Sequence, residues 1–154
     1  MHGLQEKIHV GRAQVLAVVS AFVLDRTIKH DLWFAAESGP AWPINPELNR
    51  NIAFSIPVPS ALHVFFIPLL VGITLALGVT AYRSYRRNAQ TFFWWGLLTA
   101  GALSNVLDRI LLGGVFDYID LGFFPVFNVS DAYIVASLVA FTLLDSRRRR
   151  MRPE

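Results

Sequence analysis

Cysteine occurs nowhere in the 154 residues. Disulfide frameworks, thiol nucleophiles and thiolate metal sites are thereby excluded, and the four histidines have none of the spacings that bind zinc. Charge is also scarce: 16% of residues are Asp, Glu, Lys or Arg, against 54% that are hydrophobic, and the mean hydropathy is +0.45. Soluble domains are more polar than this. Internal repeats and low-complexity linkers are missing too, so one compact membrane domain over residues 1–154 is expected.

What the chain does have is long apolar runs. Residues 64–81 contain no charged residue and no histidine, about the length a helix needs to cross a bilayer. Residues 13–24 form a second run, followed by Asp25-Arg26-Thr27-Ile28-Lys29 where a signal peptide would show a small-residue cleavage site. A third, 91–112, is interrupted by Asp108 and Arg109, and a fourth, 126–144, only by Asp131. The expectation is an all-α membrane protein with four transmembrane helices at about 12–29, 61–82, 91–112 and 127–145, leaving outer segments 30–60 and 113–126. Pro68 is a candidate kink.

Basic residues set the orientation, because cytoplasmic flanks carry the excess of Lys and Arg. Lys7 and Arg12 precede the first run, Arg83, Arg86 and Arg87 separate the second from the third, and arginines at 147–150 and 152 follow the fourth. Both termini are therefore expected in the cytoplasm. Ten of the fourteen basic residues are absorbed in this way, so the terminal "RRRR" and a pI near 9.7 call for no nucleic-acid partner. The outer segment 30–60 holds "SGPAWPINPEL" and "SIPVPS", which argue against a regular long helix, while Trp33, Phe34 and Trp42 suit a membrane interface. His63, near a helix start, reads as interfacial.

Three acids inside these runs converge in depth. At a rise of about 1.5 Å per residue, Asp25, Asp108 and Asp131 lie roughly 20, 26 and 21 Å from the cytoplasmic side. A carboxylate there costs several kcal/mol unless it faces the bundle interior or a wet cleft, so a common polar site toward the outer face is expected. Asn105 stands three residues before Asp108 and four before Arg109, Asp25 and Lys29 form an i,i+4 pair, and Asn128 precedes Asp131 by three. Asp117, in "GGVFDYID" after Gly113-Gly114, lies on a connection able to fold over the same cleft. Structural readings stand beside these. Asn128 fits an N-cap with Asp131 in the first turn; Asp25 with Lys29 and Asp108 with Arg109 fit internal ion pairs; Asp117 fits a solvated loop. Gly96, Ala100 and Gly101 fit close helix packing.

Five segments resemble, in order, the boxes of lipoprotein signal peptidases, the type II signal peptidases: "DRTIK" at 25–29, "LNRNIAFSI" at 48–56, "GALSNVLDRI" at 101–110, "VFDYID" at 115–120 and "FPVFNVSDA" at 124–132. The resemblance covers about 13–146. It implies an aspartic endopeptidase of the bacterial inner membrane that cuts diacylglyceryl-modified prolipoproteins before the lipidated cysteine. It further implies a small periplasmic sheet-like cradle and surface helix over the cleft, a monomer among membrane lipids, and no metal or cofactor. The family's catalytic aspartates fall on Asp117 and Asp131. Asn49, Asn105, Asp108, Arg109 and Asn128 are the matching polar positions around them, supported by Asp25 and Lys29. Three residues depart from the family's usual pattern: Ser104 and Asn51 stand where Gly is usual, and Ser130 where Ala is usual.

Hydrolysis by two carboxyls needs one ionised, to take a proton from water, and one neutral, to give a proton to the scissile carbonyl. The sequence leaves open which is which. Two other classes compete: a small proton-coupled transporter or channel, since intramembrane acids also mark ion pathways, and a scaffold in which polar residues only join helices.

Overall fold

The computed structural model describes residues 2–36, 39–51, 63–87 and 90–150. Within them run α1 (His2–Ala35), β1 (Ile44–Asn49), α2 (His63–Arg86), α3 (Phe92–Leu112), β2 (Val115–Ile119) and α4 (Val129–Arg150). A long helix falls on each of the four apolar runs, and a two-stranded sheet joins the outer segments.

The helices overrun the expected bounds: α1 begins at His2 and α4 runs on to Arg150, and two further ends have a visible cause. α1 continues to Ala35, so Trp33 and Phe34 ride its last turns; no breaker intervenes before the Gly39-Pro40 pair. α2 continues to Arg86, because the residues after 82 include no Gly or Pro, and Arg83 and Arg86 complement the negative end of the helix. Residues 61–62, the whole "SIPVPS" stretch at 55–60 and the side chain of His63 lie outside the described residues. The described parts of the outer segments contain the two strands and no separate surface helix.

α3 is the central helix, packed against α1, α2, α4 and β2. Its small residues make this possible. A Cβ on Gly96 would lie 2.9 Å from a methyl of Val18, and one on Gly101 would lie 2.6 Å from the backbone oxygen of Ser130, so a side chain of α1 and the backbone of α4 come directly against α3. α3 ends at Gly113, whose φ of 74° is left-handed and whose N–H closes on Arg109 O at 3.2 Å. The chain then turns directly into β2. β2 pairs antiparallel with β1, setting Asp117 opposite Glu47 and Phe116 opposite Leu48. The register slips between Ile44 and Glu47, where Pro46 has no N–H to offer the ladder.

Val115, Phe116 and Tyr118 of β2 are buried against the bundle together with Leu97, Leu98 and Val106 of α3. The helices are otherwise bare of cover. Leu16, Phe65, Leu69, Leu75, Leu111, Val135 and Leu143 are all exposed, which leaves an apolar belt on all four helices. Residues 65–86 of α2 and 129–147 of α4 have mean hydropathies of 2.0 and 1.4 and are long and apolar enough to cross a membrane.

Candidate active site

A polar core joins α1 to α3. Asp25, Lys29 and Asp108 are 1%, 3% and 0% exposed, far too buried for charges without partners. Lys29 Nζ donates to Asp108 Oδ2 at 2.7 Å and to Asn105 Oδ1 at 3.0 Å, and lies 3.5 Å from Asp25 Oδ2. The Arg26 guanidinium takes the other oxygen of Asp108, and Ser104 Oγ donates to Asp25. Asp108 thus pairs across to α1 and not with its neighbour Arg109, since adjacent residues on a helix point to different sides. Arg109 donates instead to the carbonyls of Asn105 and Asn51, both at 3.3 Å, and lies over the ring of Phe66.

The second part is built at the start of α4. Asn128 Oδ1 accepts the N–H of Asp131 at 2.9 Å, while Asp131 Oδ2 accepts the N–H of Asn128 at 3.2 Å. This reciprocal cap satisfies two amides and explains why an apolar helix opens on a carboxylate. The structural reading of Asn128 and Asp131 is therefore correct, yet it does not exhaust their contacts. Asn128 Nδ2 also donates to Asp117 Oδ1 at 2.6 Å and to Asn105 Oδ1 at 3.2 Å, and Asn105 Nδ2 donates to Asp131 Oδ1 at 2.7 Å. Asn49, at the end of β1, donates to Asp117 Oδ2 at 3.0 Å. Asn128 links the two acids, its side-chain amide donating to the Asp117 carboxylate and its backbone N–H to that of Asp131.

Asp117 is only 2% exposed, which removes the solvated-loop reading. Antiparallel pairing with β1 carries it inward, and Asp108 Oδ2 accepts the N–H of the adjacent Phe116 at 3.3 Å. Burial, with the nearby charge of Asp131 adding to it, pushes the pKa of Asp117 up to about 6 against the pull of the Asn49 and Asn128 amides. All four carboxylate oxygens of Asp117 and Asp131 accept amide hydrogens, and among the described residues neither acid has a cation within ion-pair distance. Two carboxyls held this way, one of them titrating near neutrality, have the composition of a general acid–base pair.

All nine polar residues singled out from the sequence thus fall in one region: Asn105, Asn128, Asn49, Asp117 and Asp131 in direct contact, Asp25, Lys29 and Asp108 behind them, and Arg109 alongside. Three contributors were not singled out. Arg26 lies in the quoted "DRTIK" box, three residues from Lys29 on the same helix face, and that spacing was the available signal. Ser104 was noted only as a departure; its hydroxyl stands between Asp25 and the α1 cations. Tyr118, whose hydroxyl oxygen accepts the N–H of Val129 at 3.3 Å, had no sequence signal.

Apolar helices of membrane-crossing length, bundled around a pair of carboxyls linked through Asn128, define the class as a helical membrane protein with a polar site able to move protons. Comparison with known proteins gives the family. The sequence model of signal peptidase II matches residues 17–146, and the chain belongs to that family of proteases. A lipoprotein signal peptidase of Syntrophomonas wolfei is 40% identical over 103 residues, 65% of this chain and 67% of that one. Another from Caldicellulosiruptor bescii is 32% identical over 136 residues, 84% and 87% of the two chains. A solved bacterial membrane enzyme superposes with a TM-score of 0.69 at 24% identity, covering 92% of this chain and 93% of that one, and so shares the fold. Nothing in these comparisons favours a transporter.

Proposed function

We propose that this protein removes signal peptides from diacylglyceryl-modified prolipoproteins, cutting before the lipidated cysteine, with Asp117 and Asp131 as the catalytic pair. The observation that carries the reading is the bridge itself: Asn128 contacts both acids, and among the described residues neither carries a fixed counter-ion. The family supplies the substrate class. In the proposed step, water held between the acids attacks the scissile carbonyl, one carboxylate takes the water's proton, and the other acid protonates the carbonyl oxygen. As the C–N bond breaks, the first acid passes its proton to the leaving amine. Asn49, Asn105 and Asn128 orient the pair, Asp108 places β2, Asp25 and Lys29 secure α3, and Arg109 sets local charge.

In the same reading the four helices are membrane spans, with both termini cytoplasmic and the pair near the outer boundary. The apolar belts on all four helices and the basic flanks support it. The same reading takes the protein as a monomer. The test is to reconstitute the purified protein in lipid vesicles with a prolipoprotein substrate in lipidated and unlipidated forms. Release of a fragment beginning at the modified cysteine, from the lipidated form only, supports the proposal. Equal cleavage of both forms, or proton flux without cleavage, contradicts it.

A further inference from the structure

The two acids are not equivalent, and the geometry points to Asp117 as the holder of the shared proton and Asp131 as the ionised base in the resting enzyme. This assignment rests on the catalytic-pair reading above and goes beyond it. Asp131 sits in the first turn of α4, where the helix dipole favours a negative charge and a backbone N–H donates to Oδ2. Its other oxygen accepts from Asn105, an amide whose own oxygen receives the Lys29 ammonium at 3.0 Å. A cation therefore acts on Asp131 through one polarised amide. Asp131 is also the more open of the two acids, partly exposed where Asp117 is 2% exposed, and so it faces the water that must be deprotonated.

Asp117 has the opposite surroundings. It lies in a strand whose neighbours Val115, Phe116 and Tyr118 are all buried, and both its donors are side-chain amides of Asn49 and Asn128. The charged and titratable groups around the pair come from every packed element: Lys29 from α1, the exposed Glu47 opposite Asp117 on β1, Asp108 and Arg109 from α3, Tyr118 from β2, and Tyr133 from α4. Lys29 and Arg109 act on both acids, so they do not by themselves separate the two. Burial, the helix start and the Lys29–Asn105 link do. In the reaction Asp131 then takes the proton from water and later gives it to the leaving nitrogen. Asp117 gives its proton to the carbonyl oxygen and recovers one when the diol collapses.

The test is the pH dependence of kcat/KM for the reconstituted full-length enzyme on diacylglyceryl-modified prolipoprotein. Removing a donor from a carboxylate raises its pKa. Asn49→Ala, which frees Asp117 Oδ2, is expected to move the alkaline limb up by about one pH unit and leave the acid limb in place. Asn105→Ala, which frees Asp131 Oδ1, is expected to move the acid limb up. Exchanged effects, or limbs that move in neither variant, overturn the assignment. Neutron diffraction from the unmodified protein gives a readout independent of any variant: a deuteron on Asp117 supports the assignment, and one on Asp131 refutes it. Inert Asp117→Asn and Asp131→Asn with exchanged limbs would sink only the proton placement, whereas turnover in either Asn variant would sink the pair itself.

Discussion

Two groups of acids lie side by side in this molecule, and they are treated differently. Asp25 and Asp108 touch the cations Lys29 and Arg26, while the hydrogen-bond donors to Asp117 and Asp131 among the described residues are all amides. A carboxylate against an ammonium in a dry interior is fixed in its charged form, because losing the charge strands the cation. One held by neutral donors keeps its geometry while remaining free to gain or lose a proton. The first group ties helices together and the second is left able to react. Asn105 connects them: it accepts from Lys29 and donates to Asp131.

The largest expected break in this contrast is catalytic. Asp117→Asn and Asp131→Asn should each lower prolipoprotein cleavage by about 10³–10⁴-fold while the protein stays folded, as followed by fragment release and thermal unfolding in detergent. Lys29→Met should do the reverse, acting first on stability. It leaves buried Asp25 with no cation among the described residues and Asp108 with Arg26 alone, and should cost about 3–5 kcal/mol, visible as a lowered unfolding midpoint. A Lys29→Met protein as stable as the wild type would dissolve the distinction between the two groups.

Smaller effects sharpen it. Gly101→Val drives a side chain into the Ser130 carbonyl, 2.6 Å from the position of its Cβ, and should cost about 1–3 kcal/mol. Because Ser130 lies between the two capping residues, turnover should fall with it. The smallest effect is a gain. Asp117 binds its proton up to about pH 6 in the fold but releases it near 3.8 when unfolded, so its burial is without cost at low pH and grows costly as pH rises through this window. Relative to the wild type, Asp117→Asn should therefore gain stability as pH rises from 4 to 6, ending about 1 kcal/mol more stable above pH 6 and less stable near pH 4, where nothing offsets the lost acceptor of one amide. Unfolding midpoints across that range check the sign.

The sequence made the first group easier to read than the second. Asp25, Lys29 and Asp108 are charges inside apolar runs, and helical rise alone puts them near one depth. Arg26 escaped notice because it sits at the end of a run, where a basic residue reads as flank; only the packing of α3 against α1, close at Gly96, brings Asp108 within its reach. The burial of Asp117 was beyond any local pattern. It depends on Asn49, 68 residues earlier, and on a strand pairing that crosses two helices. The resemblance to a family pointed to that residue, and spacing did not. Asn128 was read as either cap or site residue; its separate carbonyl and amide groups let it serve as both.

The most direct measurement of the central claim is the pH profile of kcat/KM for the wild-type protein cleaving a diacylglyceryl-modified prolipoprotein in vesicles. The account predicts a bell, with an acid limb as Asp131 ionises and an alkaline limb, about pH 6 or somewhat higher, as Asp117 loses its proton. A single ionisation followed by a rate that holds undiminished into the alkaline range would contradict it.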